Sequence, residues 1–148
     1  MSLQDIREIL LDQHDALRIK IGEARRASEL WRRGACSREE LRHLLESLSE
    51  QLRAHHACEE ASLHDVIPGV DAWERARVER MTETHLQEHC DLIEGLQDAA
   101  VCVDEERGAA AIKDILDSML DHMRDEEKYL LASDALTEDL RFGEGFAG

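Results

Sequence analysis

The sequence predicts an all-α protein: an antiparallel up-down-up-down four-helix bundle with a short C-terminal tail. Three observations lead there. Apolar residues recur at three- and four-residue steps over four long stretches, the period of a helix that buries one face. Leu, Ala, Glu and Arg are abundant, Pro68 is the one proline, and aromatics make up 3%, which favours helix over strand. The breaks between stretches are short, and amphipathic helices joined by short turns pack antiparallel. The chain of 148 residues suits one domain with a single core, here 1–133, followed by a tail over 134–148.

Ser2 is a cap for the first helix, with Asp5 favourable in its first turn. Its stripe reads Leu3, Ile6, Leu10, Leu17, Ile21, Ala24 and Trp31, and Gly34 is its stop. Ser37 and Glu40 form a capping-box pattern before the second stripe, Leu41, Leu45, Leu48, Leu52, His55, Glu59 and Leu63. Pro68 and Gly69 end that segment. Asp71 and Glu74 repeat the cap pattern, and the third stripe is Val78, Met81, His85, His89, Leu92, Leu96, Ala99 and Val103. The fourth helix begins at Asp104 or near Gly108, with stripe Ile112, Ile115, Leu116, Met119, His122, Met123, Glu126 and Leu130. Beyond Ser133 the pattern fades. A short helix around Thr137–Arg141, with Phe142 and Phe146 as docking points, is the expectation for the tail.

Composition narrows the function. A formal net charge of -16 would repel nucleic-acid phosphates and an anionic membrane surface. No apolar run approaches membrane-spanning length, and no basic stretch followed by an apolar one marks a secretory signal. Cys36, Cys58, Cys90 and Cys102 form no CxxC pair, which argues against a zinc-thiolate knuckle. Reduced thiols and a cytoplasmic location are the expectation.

The chemistry lies in histidines and carboxylates placed on the buried stripes. His85 and His89 stand one turn apart. His14 lies four after Leu10 and three before Leu17, so it points inward. His55 and His122 are each followed four residues later by a glutamate, Glu59 and Glu126, and directly after by Glu60 and Glu127. Residues four apart on a helix are about 40° off one line, so two such side chains reach one metal or two neighbouring metals. Glu59, Glu126 and Glu127 fall on or beside the buried faces, with no inward lysine or arginine to pair with them. Burying such a carboxylate is costly unless a cation compensates it. Iron, manganese and zinc all suit a mixed imidazole and carboxylate set. A single inward histidine is most often a hydrogen-bonded core residue; an inward histidine near mid-length on all four helices is the stronger signal. His43, His56 and His64 are read as solvated, His56 because Ser49 and Arg53 lie behind it.

This order resembles the hemerythrin-like (HHE cation-binding) domains. That family has a single His on the first helix and His-x-x-x-Glu on the second. The third carries His-x-x-x-His, and the fourth a His followed by a carboxylate. The matching residues are His14, His55 with Glu59, His85 with His89, and His122 with Glu126 or Glu127, over roughly residues 3–131. The resemblance implies two iron ions joined by an oxo or hydroxo bridge, although manganese and zinc tolerate similar donors. One iron would take His85, His89 and His122, the other His14 and His55. Glu59 and the helix-four glutamate would bridge them, and one iron would keep an open position. Family spacing favours Glu127 as that glutamate and plain helix geometry favours Glu126, with a slight lean to Glu127. The scarcity of aromatics departs from the oxygen carriers, whose ligand pockets are rich in them.

Three functions follow. The first is a di-iron protein that binds dioxygen, or a related diatomic or peroxide ligand, for sensing or storage. The second is an oxidoreductase that handles Fe(II) or peroxide at the same centre. The third is a metal-free helical interaction module.

Overall fold

The computed structural model describes the backbone of residues 3–66, 72–102 and 104–129, and the side chains of 4–62, 83–102 and 104–128. Four helices run in sequence: α1 Leu3–Arg32, α2 Arg38–Val66, α3 Ala72–Val101 and α4 Glu105–Tyr129. The main packing runs α1 on α2, α2 on α3, α3 on α4 and α4 back on α1, so each helix buries a face between two neighbours. The chain is thus all-α, a four-helix bundle. Ser2, Leu63, His64, Pro68, Gly69, Asp71, Glu74, Val78, Met81, Val103, Leu130 and the tail from 134 to 148 lie outside the described side chains, and with them the expectations placed there.

Local sequence fixes the turns. Gly34 adopts φ 77°, a region open to glycine. The Ala35 N–H donates to the Leu30 carbonyl at 2.7 Å and the Gly34 N–H to that of Trp31 at 3.0 Å, closing α1 with a Schellman motif. Ser37 Oγ accepts the Glu40 N–H at 3.1 Å and so caps α2. Glu40 Oε2 instead lies 3.4 Å from Cys36 Sγ, so half of the capping box forms. Asp104 Oδ1 accepts the N–H groups of Glu106 and Arg107, which starts α4 at Asp104 rather than near Gly108.

The apolar core fills the half of the bundle nearest the α1–α2 and α3–α4 connections. Leu17, Ile21 and Trp31 of α1 meet Leu41, Leu45, Leu48 and Leu52 of α2. Leu92 and Leu96 of α3, with Ile112, Leu116, Met119 and Met123 of α4, complete it. Each fully buried leucine contributes about 1.5–3 kcal/mol. Where these stripes pass beyond Leu17, Leu52, Leu92 and Met119, polar side chains join Leu10 and Met123 while burial persists. Gly108 lets α4 approach Trp31: a Cβ there would lie 2.9 Å from Cη2 and 3.2 Å from Cζ3 of that largely buried ring. Gly108→Ala is therefore expected to cost about 1–3 kcal/mol through overpacking. Chemical denaturation measures this directly, and an unchanged midpoint would show that Trp31 repacks freely.

Candidate metal centre

The helix stripes bring five histidines and two glutamates together midway along the bundle. His14, from α1, is fully buried. His55 and Glu59 come from α2, His89 and His85 from α3, and Glu126 and His122 from α4. His55, Glu59, His89 and Glu126 are each 2–3% exposed, and the side chains of His85 and His122 are 12% and 9% exposed.

Two groups form within this cluster, and either could hold a metal ion. One is His85, His89, His122 and Glu126; the other is His14, His55, Glu59 and Glu126. Within each, the ligand atoms lie within 4.8 Å of one another. The two carboxylates span the groups, one oxygen toward each. Glu126 Oε2 lies 3.0 Å from His14 Nε2 and 3.7 Å from His55 Nε2. Its Oε1 lies 3.2 Å from His85 Nε2 and 3.6 Å from His89 Nε2, and contacts His122 Nε2. Glu59 Oε2 lies 3.1 Å from His55 Nε2, while its Oε1 contacts His85 Nε2.

All five imidazoles are oriented alike: Nε2 turns inward and Nδ1 faces an oxygen outside the cluster. His55 Nδ1 donates to Gln13 Oε1 at 2.7 Å. His89 Nδ1 meets Glu60 Oε1 at 3.3 Å, and His122 Nδ1 meets Glu88 Oε2 at 3.0 Å. His85 Nδ1 is 3.9 Å from Glu88, and His14 Nδ1 is 3.6 Å from Glu127. For His55, His89 and His122 a proton held on Nδ1 by such an acceptor leaves the Nε2 lone pair free for a metal and fixes the plane of the ring. His14 Nδ1 and His85 Nδ1 lie beyond hydrogen-bond distance of their carboxylates.

The inner atoms leave polar valences open. Glu59 Oε2, Glu126 Oε1, His89 Nε2 and His122 Nε2 are buried without a hydrogen bond, although each lies near others of the set. A cation satisfies all four at once, and imidazole plus carboxylate is the donor set of a borderline transition metal. The residues therefore fit a metal pair. Without metal, protons play the cation's part. Burial disfavours charge on His55 and His85, but the close approach of Glu126 and Glu59 outweighs it, lifting them to about 9 and about 10. Burial likewise opposes the charge on Glu126, yet the close approach of His122, His14, His55 and His85 holds its carboxyl far below the usual range.

Three expectations from the sequence need correction. Glu126, not Glu127, sits among the histidines. One turn from His122 it shares that ring's face, whereas Glu127 is rotated toward α1. There Arg18 Nη2 donates to both Glu127 oxygens, at 2.6 and 2.5 Å. Burial raises the Glu127 carboxyl, but the Arg18 bond and charge overcome that and hold it below its ordinary value. The second correction follows: an arginine, Arg18, is at hand for one of the three carboxylates. It lies four residues after His14 and so leans over the same face. The third concerns His56, which is 5% exposed rather than solvated. Its ring lies flat on that of His89, with centroids 3.5 Å apart and planes 3° from parallel. Burial, then the neighbouring His89, drives its pKa down to about 2, so it is neutral. Ser49, one helical repeat behind it, is buried too, while Arg53 on the same face stays exposed, so only part of the face taken for wet is covered. His43 is exposed, as expected.

Sequence reasoning missed Gln13, Glu60 and Glu88, the oxygens that orient the rings. Gln13 and Glu88 adjoin cluster histidines in sequence and Glu60 adjoins Glu59, but which Nδ1 each meets depends on register between helices. Glu127→Gln is expected to weaken metal binding about 10–100-fold without lowering the final metal count, because it loosens His14 and removes no inner donor. A competition titration against a chelator reads the difference; full loss of metal would place Glu127 inside the centre.

Among the described residues no helix is long and apolar enough to cross a membrane. Cys36, Cys58, Cys90 and Cys102 are free thiols. Searches of curated proteins and of solved structures give no match. The family model described as "Hemerythrin HHE cation binding domain" matches residues 5–132, nearly the whole bundle, and the chain belongs to that family.

Proposed function

We propose that the chain is a non-haem di-iron protein whose centre binds dioxygen or a related small ligand for sensing or storage. His85, His89 and His122 would hold one ion and His14 and His55 the other, with Glu59 and Glu126 as the carboxylates shared between them. The observation that carries this reading is the span of the two carboxylates, one oxygen toward each histidine group. A bridging carboxylate needs both oxygens directed at different ions, which a structural ion pair does not. Iron, when bound, supplies reversible electron transfer to a small ligand. The chain's residues do the rest. Gln13, Glu60, Glu88 and Glu127 hold the rings in register. Leu10, Leu17, Leu52 and Met123 keep the surroundings apolar. The test is a metal count with an absorption spectrum, followed by anaerobic reduction and readmission of air. Two irons per chain and a visible band that reverses under vacuum are expected; irreversible bleaching would count against storage.

One observation favours a second reading, turnover of Fe(II) or peroxide. The described core carries a single aromatic side chain, Trp31, at the end away from the cluster, and an open cavity reaches the back of His89. A centre with one ligand ring at a cavity and few bulky rings around it is less shielded than stable carriage asks. Fe(II) oxidation or peroxide consumption faster than that of free iron would support turnover, and the absence of both would remove it.

A further inference from the structure

A cavity of about 510 Å³ lies between α2 and α3, beside the cluster. At its rim Arg53, Cys90 and Glu94 are exposed to solvent. At its floor His56 and His89 are 5% and 3% exposed. Glu60 lines it as well and reaches His89 Nδ1 at 3.3 Å. The cavity thus runs from water to the back of a ring whose Nε2 faces Glu59 and Glu126.

His56 Nε2, at that floor, is buried without a hydrogen-bond partner. Leaving a buried polar group unpaired costs about 1–3 kcal/mol. A phenylalanine would stack on His89 equally well without that penalty, so stacking alone does not account for an imidazole. That nitrogen belongs to a residue that lines the cavity, and an ion entering there would supply the partner it lacks. Charge selects its class: Glu60 and Glu94 outnumber Arg53 in the lining, within a chain of net charge -16. Imidazole nitrogen, carboxylate oxygen and the Cys90 thiol together suit a borderline divalent transition-metal ion.

We propose that this cavity is the uptake site for the divalent ion that fills the centre. Glu94 draws the ion from solvent, and His56 with Glu60 holds it in transit behind His89. Glu60 serves both ends of the step, since it lines the cavity and touches a cluster histidine. The proposal rests on the reading of the inner cluster as a metal centre.

The experiment is stopped-flow uptake of Co(II) by the metal-free full chain, followed by its visible absorption, with the final stoichiometry and thermal melt of each variant. His56→Phe keeps the stacked ring and removes the nitrogen; Glu94→Gln and Arg53→Gln alter only exposed side chains. His56→Phe and Glu94→Gln are expected to slow uptake at least about threefold, and Arg53→Gln to speed it, with an unchanged endpoint. If His56→Phe does not fold, the opposite signs of Glu94→Gln and Arg53→Gln decide. Unchanged rates at full stoichiometry overturn the uptake site alone and direct attention to the partly exposed His85 and His122. A lower endpoint for His56→Phe at an unchanged rate also overturns it, leaving His56 as a support for His89. Wild-type protein that binds no Co(II) overturns the metal reading and this proposal with it.

Discussion

Glu126→Gln is expected to reduce metal content from two ions per chain to one or fewer. The substitution keeps the volume and one oxygen but replaces the second oxygen with an amide nitrogen, which does not ligate. Glu126 belongs to both groups, with Oε1 toward His85, His89 and His122 and Oε2 toward His14 and His55. One oxygen serves one group, so the other loses its shared donor. One negative charge also leaves the interior, and Glu59 alone is left to face two cations. Bound metal at a hundredfold excess over its dissociation constant stabilises by about 2.7 kcal/mol. For a chain of this size that is roughly 5–10 °C in melting temperature. The wild type should show this increment and Glu126→Gln should lose most of it.

Comparison of melts with and without metal isolates that effect, because the variant also changes the metal-free protein. His55 and His85 owe much of their raised pKa to Glu126, and both can revert to neutral when it is gone. The metal-free baseline should therefore move by less than the 3–5 kcal/mol typical of a stranded buried charge. Glu127→Gln is the matched control, identical chemistry one residue along. If it strips the metal while Glu126→Gln does not, the assignment of the inner glutamate is inverted.

That pair of residues shows where sequence was sufficient and where it was not. The stripes Leu41, Leu45, Leu48, Leu52 and Ile112, Leu116, Met119, Met123 are all buried, because a helix that packs on neighbours must repeat every three or four residues. His55 and His122 interrupt those stripes and His14, His85 and His89 the corresponding ones on α1 and α3, so their convergence was legible. Glu126 against Glu127 was not: adjacent residues differ by about 100° in direction, and a bundle helix is covered from two sides. Both directions point at a neighbour, and Arg18 on α1 decides between them. His56 went unread for the same reason. Its face is polar along α2 but is closed over by His89 from α3. Gln13, Glu60 and Glu88 carry no signal of their own, since a half-exposed acceptor on a helix looks like any solvated one until the facing ring is placed.

Metal affinity is expected to rise with pH across the range in which the metal-free protein loses stability. His55 and His85 lie at about 9 and about 10 in the folded chain, against an ordinary value of 6.5. A folded-state pKa raised above the unfolded one contributes stability that is complete below about 6.5 and is lost as pH rises through the folded values. The melting temperature of metal-free protein should therefore fall between pH 6.5 and 10, as the protons that balance Glu59 and Glu126 depart. Metal takes the place of those protons, because a ligating histidine must be neutral. At pH 7 both rings carry one, so binding should expel about two protons per chain. Affinity should then rise by up to about tenfold per pH unit for each proton displaced. The two trends have opposite signs, so the stabilisation conferred by metal widens as pH climbs. Titration calorimetry at pH 7 in two buffers of different ionisation enthalpy counts the protons, and melts from pH 6 to 10 with and without metal trace the gap. Binding without proton release, together with a flat metal-free profile, would mean that neutral rings and not imidazolium face Glu59 and Glu126. The buried carboxylates would then need metal for the chain to fold at all, and metal-free protein should not melt cooperatively at any pH.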